Sequence, residues 1–148
     1  MHKTALLAFQ AALEQEGILG AVRFLNKRVL HRFTSIYRLD GDTMRSVYVI
    51  DKEGGTGLPA LHNVPVADSF CQFVIRDGSF ITPSSIKDHR LFGHKYQQVV
   101  SSYVGLPLYD DNGSVWGTFS HMDVVPRPVN NQEIEFLQAA TPLLRREL

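Results

Sequence analysis

The candidates for chemistry in this chain are few. Cys71 is the single cysteine among 148 residues. A catalytic or redox thiol needs a neighbouring base or a resolving cysteine. Cys71 therefore reads either as a small buried hydrophobe or as a single-thiol attachment or sensing site. The six histidines, His2, His31, His62, His89, His94 and His121, are scattered. His89 and His94 are spaced so that they do not share a helix face. There is no HExxH, no CxxC and no tight carboxylate cluster, so no metal site is expected. Asp88 and His89 would make an acid–base pair, but adjacent polar residues in a loop are ordinarily solvated. Gly54-Gly55-Thr56-Gly57 lacks the phosphate-cradling layout GxxxxGK[ST], and the nucleophile elbow GxSxG is absent. These absences favour binding over bond-making.

The residues best placed to bind lie on strands. From Ser101 to Asp123 two runs of alternating, β-favouring residues flank Asp110-Asp111-Asn112-Gly113, a hairpin signature. Gly105 and Gly117 interrupt these runs and mark a bulge or a close approach. Alternation puts Trp116, Thr118, Ser120 and Met122 on one face of the last strand and Val115, Phe119 and His121 on the other. In the strand beginning at Phe33, Phe33, Ser35 and Tyr37 share a face against Thr34 and Ile36. If the Val115–Phe119 face meets the terminal helices, the Trp116–Thr118–Ser120 face looks into a separate space. An aromatic lining with a few hydroxyls suits a small planar or apolar ligand. Trp116 and Tyr103 read equally well as ordinary core aromatics.

Positioning these residues requires a framework. Helices are expected over Lys3–Glu16 and Ile18–Leu30, separated at Gly17, with Leu6, Phe9 and Leu13 and then Val22, Leu25 and Val29 as apolar stripes. Strands are expected over Phe33–Leu39, Met44–Ile50 and Ser79–Thr82, followed by the two of the hairpin. A short helix capped by Asp68 or Ser69 runs to Arg76, with Phe70, Phe73 and Val74 as its stripe. A last helix spans Asn130–Leu148, capped by Asn130 or Asn131, with Pro142 expected to kink or end it. The pattern is α+β: a central, five-stranded, largely antiparallel sheet with the N- and C-terminal helices on one face. The Phe70 helix and the loops around Gly54–Pro59 and Pro83–Gly93 roof a pocket on the other. The closing helix carries two apolar stripes, Ile134, Leu137, Leu144, Leu148 and Phe136, Ala140, Leu143, which predicts a homodimer through the terminal helices.

Composition sets limits. The length suits one domain, residues 1–148. Lys plus Arg and Asp plus Glu each number 15, a net charge of zero, which is unlike the basic footprint of a nucleic-acid binder. Apolar runs fall short of the ~20 residues of a membrane span. Met1-His2-Lys3 lacks a signal-peptide layout, and the lone cysteine suits a reducing compartment. A cytoplasmic protein without nucleic-acid or membrane partners is expected.

The ordered motifs Asp68-Ser69-Phe70-Cys71, Asp77-Gly78-Ser79-Phe80-Ile81, Tyr103-Val104-Gly105-Leu106-Pro107-Leu108 and Asn112-Gly113-Ser114-Val115-Trp116-Gly117-Thr118, with Pro126-Arg127 and Glu133–Leu144 behind them, resemble a bacterial GAF domain from Leu6 to Leu144. The resemblance implies a sensory or regulatory module that binds a cyclic nucleotide, bilin, haem or small metabolite and pairs through its terminal helices. It implies pocket positions at Phe33, Tyr37, Phe70, Phe73, Tyr103, Trp116 and Thr118, to which the strand and thiol readings add Cys71 and Ser120. The chain lacks the Asn-Lys-Phe-Asp-Glu run of cyclic-nucleotide members. Cys71 is followed by Gln72 rather than the histidine of bilin-attaching members. Free methionine-R-sulfoxide reductases of this fold use a cysteine pair and acidic residues on the last strand. Here that strand offers Ser120 and Met122, and Tyr103 stands where a pocket carboxylate would be, which weighs against reductase activity. The expectation is a non-catalytic sensor of an unidentified small molecule, cofactor unknown, with room for an output domain after Leu148. The alternatives are a reductase-like enzyme and a structural dimerisation module.

Overall fold

The computed structural model describes residues 2–148. Helix α1 (Lys3–Lys27) is broken once, at Gly17, whose φ of 74° and ψ of −165° leave helical space. A positive φ is ready only for glycine, so the predicted stop falls where the backbone turns. Strands β1 (Phe33–Asp40) and β2 (Thr43–Asp51) form a hairpin, and a loop leads to β3 (Asn63–Pro65). Then come α2 (Cys71–Asp77), β4 (Phe80–Thr82), β5 (Ser102–Tyr109), β6 (Val115–Asp123) and α3 (Asn131–Arg145).

All pairings are antiparallel, in the order β3-β2-β1-β6-β5-β4. The sheet therefore has six strands rather than five. The added one, β3, is too short to show alternation and pairs Met44 with Val64 at the edge of β2. The central register sets Phe33 opposite Met122, Ser35 opposite Ser120 and Tyr37 opposite Thr118. Tyr103 pairs with Met122 and Gly105 with Ser120. These residues share one face. Ile36, Val104, Leu106 and Phe119 share the other and bury against Phe9, Val22 and Leu25 of α1 and Phe136, Leu137 and Leu144 of α3.

Three local expectations are corrected. First, Leu108 pairs with Gly117 but Tyr109 with Val115, so Trp116 is the extra residue of a β-bulge. A bulge re-aims the side chain it inserts. The indole packs with the terminal-helix core, and the guanidinium of Arg145 on α3 stands 5.4 Å from its ring centre. Second, α3 runs through Pro142 to Arg145. Leu144, beyond the proline, is fully buried, and that burial offsets the one hydrogen bond proline removes. Third, neither Asp68 nor Ser69 caps α2; the Ser69 hydroxyl donates to Val66 O in the preceding turn (2.8 Å). Asn130 does cap α3, accepting from Glu133 N at 2.8 Å. Phe136 and Ala140 of one α3 stripe and Leu137 and Leu144 of the other are fully buried, while Ile134, Leu143 and Leu148 are half-buried.

Candidate ligand site

The face of the sheet away from the terminal helices is roofed by α2, the 89–100 segment and the loop before β3. Phe70 enters from the start of α2 and meets Tyr103 (5.4 Å), Phe80 (6.2 Å) and His94 (4.7 Å), ring edge to ring face. Aromatic pairs prefer such T-shaped arrangements. Tyr103 reaches back under α2 because Gly105 has no side chain. A Cβ there would stand 2.5 Å from Val74 Cγ2 and 2.7 Å from the Tyr103 hydroxyl oxygen. Gly105 thus marks the close approach that its place in the strand predicted.

Cys71, one residue on from Phe70, points into this layer. Its Sγ lies 3.3 Å from Thr118 Oγ1 and 3.6 Å from the Tyr103 hydroxyl. Burial pushes the thiol above its ordinary range, against the hydrogen bonds from Thr118 and Tyr103. It is therefore protonated near neutrality and not an activated nucleophile. Burial likewise raises both tyrosines, Tyr37 and Tyr103, so the compartment carries no charge from its own hydroxyls.

The packing is not complete. A void of about 30 Å³ remains between sheet and roof, bounded by Tyr37, Met44, Phe70, Cys71, Tyr103 and Met122 among others. A second void of about 10 Å³ lies towards β2, touching Phe33, Ser35, Val49 and Leu58. No Asp, Glu, Lys or Arg lines either one.

Of the residues proposed from sequence, Tyr37, Phe70, Cys71 and Tyr103 line the larger void and Phe33 the smaller. Thr118 holds the thiol. Ser120 is buried on the same strand, and its hydroxyl has no partner. Phe73 packs beside the layer against Phe80 and His94 without reaching the void. Trp116 is on the opposite side and is withdrawn from the site. Met44, Leu61, Val64, Ser69, Tyr96, Val100 and Met122 also line the larger void but were not among the proposed ligand positions. Only Met122 was foreseeable, since alternation already placed it on this face. Asp88 does not pair with His89. It caps a short turn and binds Arg90 at 2.6 Å, and the Arg90 guanidinium holds its carboxyl at about 2.

A different kind of cluster sits at the other face, where α1 ends against the start of β1 and the end of β6. His31 and His121, both fully buried, stack with ring centres 5.8 Å apart. Thr34 Oγ1 accepts from Asn26 Nδ2 at 2.8 Å and shares a hydrogen bond with His121 Nδ1, 2.6 Å away. His121 Nε2 has no partner; nor has either ring nitrogen of His31. Lys52 donates to Asn26 O (2.6 Å) and Oδ1 (2.9 Å). Asp123 accepts from Arg32 N and Arg127 Nε, each at 3.0 Å. Among the described residues, no group of three or more His, Cys, Asp or Glu is placed to hold a metal ion.

No family model matches the chain, and no curated protein matches its sequence. Solved structures do match its shape. The GAF domain of Acinetobacter phosphoenolpyruvate-protein phosphotransferase superposes with a TM-score of 0.76 at 13% identity, over 99% of this chain and 91% of that one. The free methionine-R-sulfoxide reductase of Neisseria meningitidis, in complex with its substrate, gives 0.74 at 12%, over 96% and 84%. The phycocyanobilin-bound GAF domain of a cyanobacterial phytochrome gives 0.71 at 16%, over 99% and 92%. The chain has the GAF-domain fold, as its motifs predicted. Sensors and an enzyme share that fold, so the fold alone does not choose between them. No helix among the described residues is long and apolar enough to cross a membrane.

Proposed function

We propose that this chain is a sensory or regulatory module that binds a small molecule between the sheet and α2 and performs no catalysis of its own. The observation that carries the reading is the charge-free compartment around Tyr37, Phe70, Cys71 and Tyr103, roofed by α2 and loops yet not filled. A route outward exists in β6. Thr118 and Met122 of that strand meet the compartment, while Phe119 and His121 meet the terminal-helix side. A ligand that moved β6 would act on α1 and α3, provided it bound two arrangements with different affinity. The test is native mass spectrometry for a co-purified molecule, followed by thermal shift against metabolites. A ligand at 100 times its Kd stabilises the fold by ~2.7 kcal/mol. A protein that carries no molecule and responds to none would end the sensing proposal.

The second reading, a methionine sulfoxide reductase, is favoured by one fact: the single thiol lies inside the compartment. Against it stand the protonated state of that thiol and the lack of a second cysteine. Incubation with free methionine sulfoxide and a dithiol reductant decides it. We expect no turnover; turnover abolished by Cys71→Ser would establish the enzyme.

A further inference from the structure

The two voids beneath the roof share three walls: Tyr37, Leu61 and Met122. At that partition the Tyr37 hydroxyl donates to the backbone oxygen of Leu61 at 2.8 Å. Leu61 ends the strap that leads from β2 to β3. From Thr56 to Pro59 the strap bonds only within itself, through His62 Nε2 to Thr56 O, Leu61 N to Leu58 O and His62 N to Pro59 O. Leu61 is the one buried side chain between Lys52 and His62, and Leu58 is half-buried. From Thr56 to Leu61 the strap is held to the sheet by one hydrogen bond, Tyr37 to Leu61, and by the apolar side chains of Leu58 and Leu61; beyond it Ser46 N donates to His62 O at 2.8 Å and fixes the strap's far end to β2. At its middle Gly57, with φ of 85°, is a ready hinge. An apolar cavity of about 150 Å³ holds one benzene ring; voids of about 30 and 10 Å³ hold none.

We propose that Tyr37 and Leu61 form a latch whose release joins the two voids into one chamber for an uncharged, largely apolar molecule of about one ring. The inference rests on the binding role proposed above for the compartment. Breaking the Tyr37–Leu61 bond removes the one hydrogen bond that holds residues 57–61 to the sheet, so this short segment can lift between Gly57 and the His62 tether to Ser46. Met122, an unbranched thioether with three rotatable bonds, can then swing out of the partition. The lining holds no carboxylate, ammonium or guanidinium, and its one imidazole, His62, has Nε2 committed to Thr56 O at 2.7 Å; this sets the ligand class, because a buried charge without a partner is strongly disfavoured.

Benzene and benzoate titrated into methyl-labelled protein, wild type and Tyr37→Phe, test the latch. We expect benzene to shift the Met44 and Val64 methyls, on one side of the partition, together with those of Val49 on the other. Tyr37→Phe should bind benzene about fivefold more tightly, because one net hydrogen bond no longer favours the closed state. Benzoate should leave these methyls unmoved. Benzene binding that moves one side only, or that is unchanged in Tyr37→Phe, overturns the latch and leaves the compartment as a binding site. Benzoate binding as well as benzene overturns the ligand class. No benzene binding by either protein, with both methyl spectra folded, overturns latch and binding site together.

Discussion

The roofed compartment and the histidine cluster lie against opposite faces of β6, and each departs from a finished core in its own way. Around Tyr37 and Cys71 there is unfilled volume and no charge; around His31 and His121 there are polar atoms without partners. A void lacks contacts, and an apolar molecule supplies them. An unpartnered buried nitrogen lacks a hydrogen bond, and at low enough pH it gains a proton and a charge instead. Thr118 and His121 stand three residues apart on β6, yet one region should answer to an apolar ligand and the other to protons.

The largest effect expected from this contrast is a fall in stability below neutral pH that comes chiefly from the His31–His121 side, with a lesser contribution from His94 in the roof, whose imidazole burial also lowers. Burial lowers His31 from 6.5 to about 4, opposed by Asp123 and helped by Arg127 and Lys52, and drives His121 well below its ordinary range. Between these limits the unfolded chain binds more protons than the folded one, so stability is complete above about pH 6.5 and is lost as the pH falls towards 4. For His31 alone this is about 3 kcal/mol. The carboxylates held low by their partners, Asp51, Asp88 and Asp123, lose their contribution only below about 3.9, so the histidine window is separate. Urea unfolding at a series of pH values measures it. A flat profile from pH 7 to 4.5 would erase the distinction between the two regions.

His31→Leu sharpens the same comparison with a smaller effect. Neither ring nitrogen of His31 makes a hydrogen bond, so an apolar residue of similar volume removes two unsatisfied atoms and no bond. We expect a gain of about 1 kcal/mol at pH 7 and a flatter acid limb. Loss of stability at pH 7 would mean that the imidazole has a partner, such as a bound water.

The two regions also differ in how far the sequence disclosed them. The compartment was legible through alternation and motif: Phe33, Tyr37 and Met122 fell on the predicted face, and Phe70 and Cys71 stood in a recognisable segment. Trp116 was misplaced because a bulge shifts a two-residue period by one, and nothing between Val115 and Gly117 announces which residue is inserted. Leu61 and Val64 escaped notice because a glycine-rich loop carries no period from which a side chain's direction can be read. The histidine cluster was illegible for another reason. His31 lies in a connection and His121 on β6, and only the β1–β6 register, which sets Thr34 opposite His121, brings them together. Long-range pairing of this kind leaves no local trace in composition or spacing.

The smallest predicted effect concerns the void itself. Val64 lines the larger void from the edge strand and is almost fully buried. Val64→Ile adds one methylene, which fits a space of about 30 Å³ without forcing its neighbours. Filling it should stabilise the fold by roughly 0.8 kcal/mol, the transfer value of one buried CH₂. The same change should weaken benzene binding in the titration above, because the added carbon takes ligand space. Its acid limb should match that of the wild type, since no titrating group is touched. A variant that stabilised the fold and also flattened the acid limb would show that the two regions communicate through β6, and the separation argued here would have to give way to coupling across the sheet.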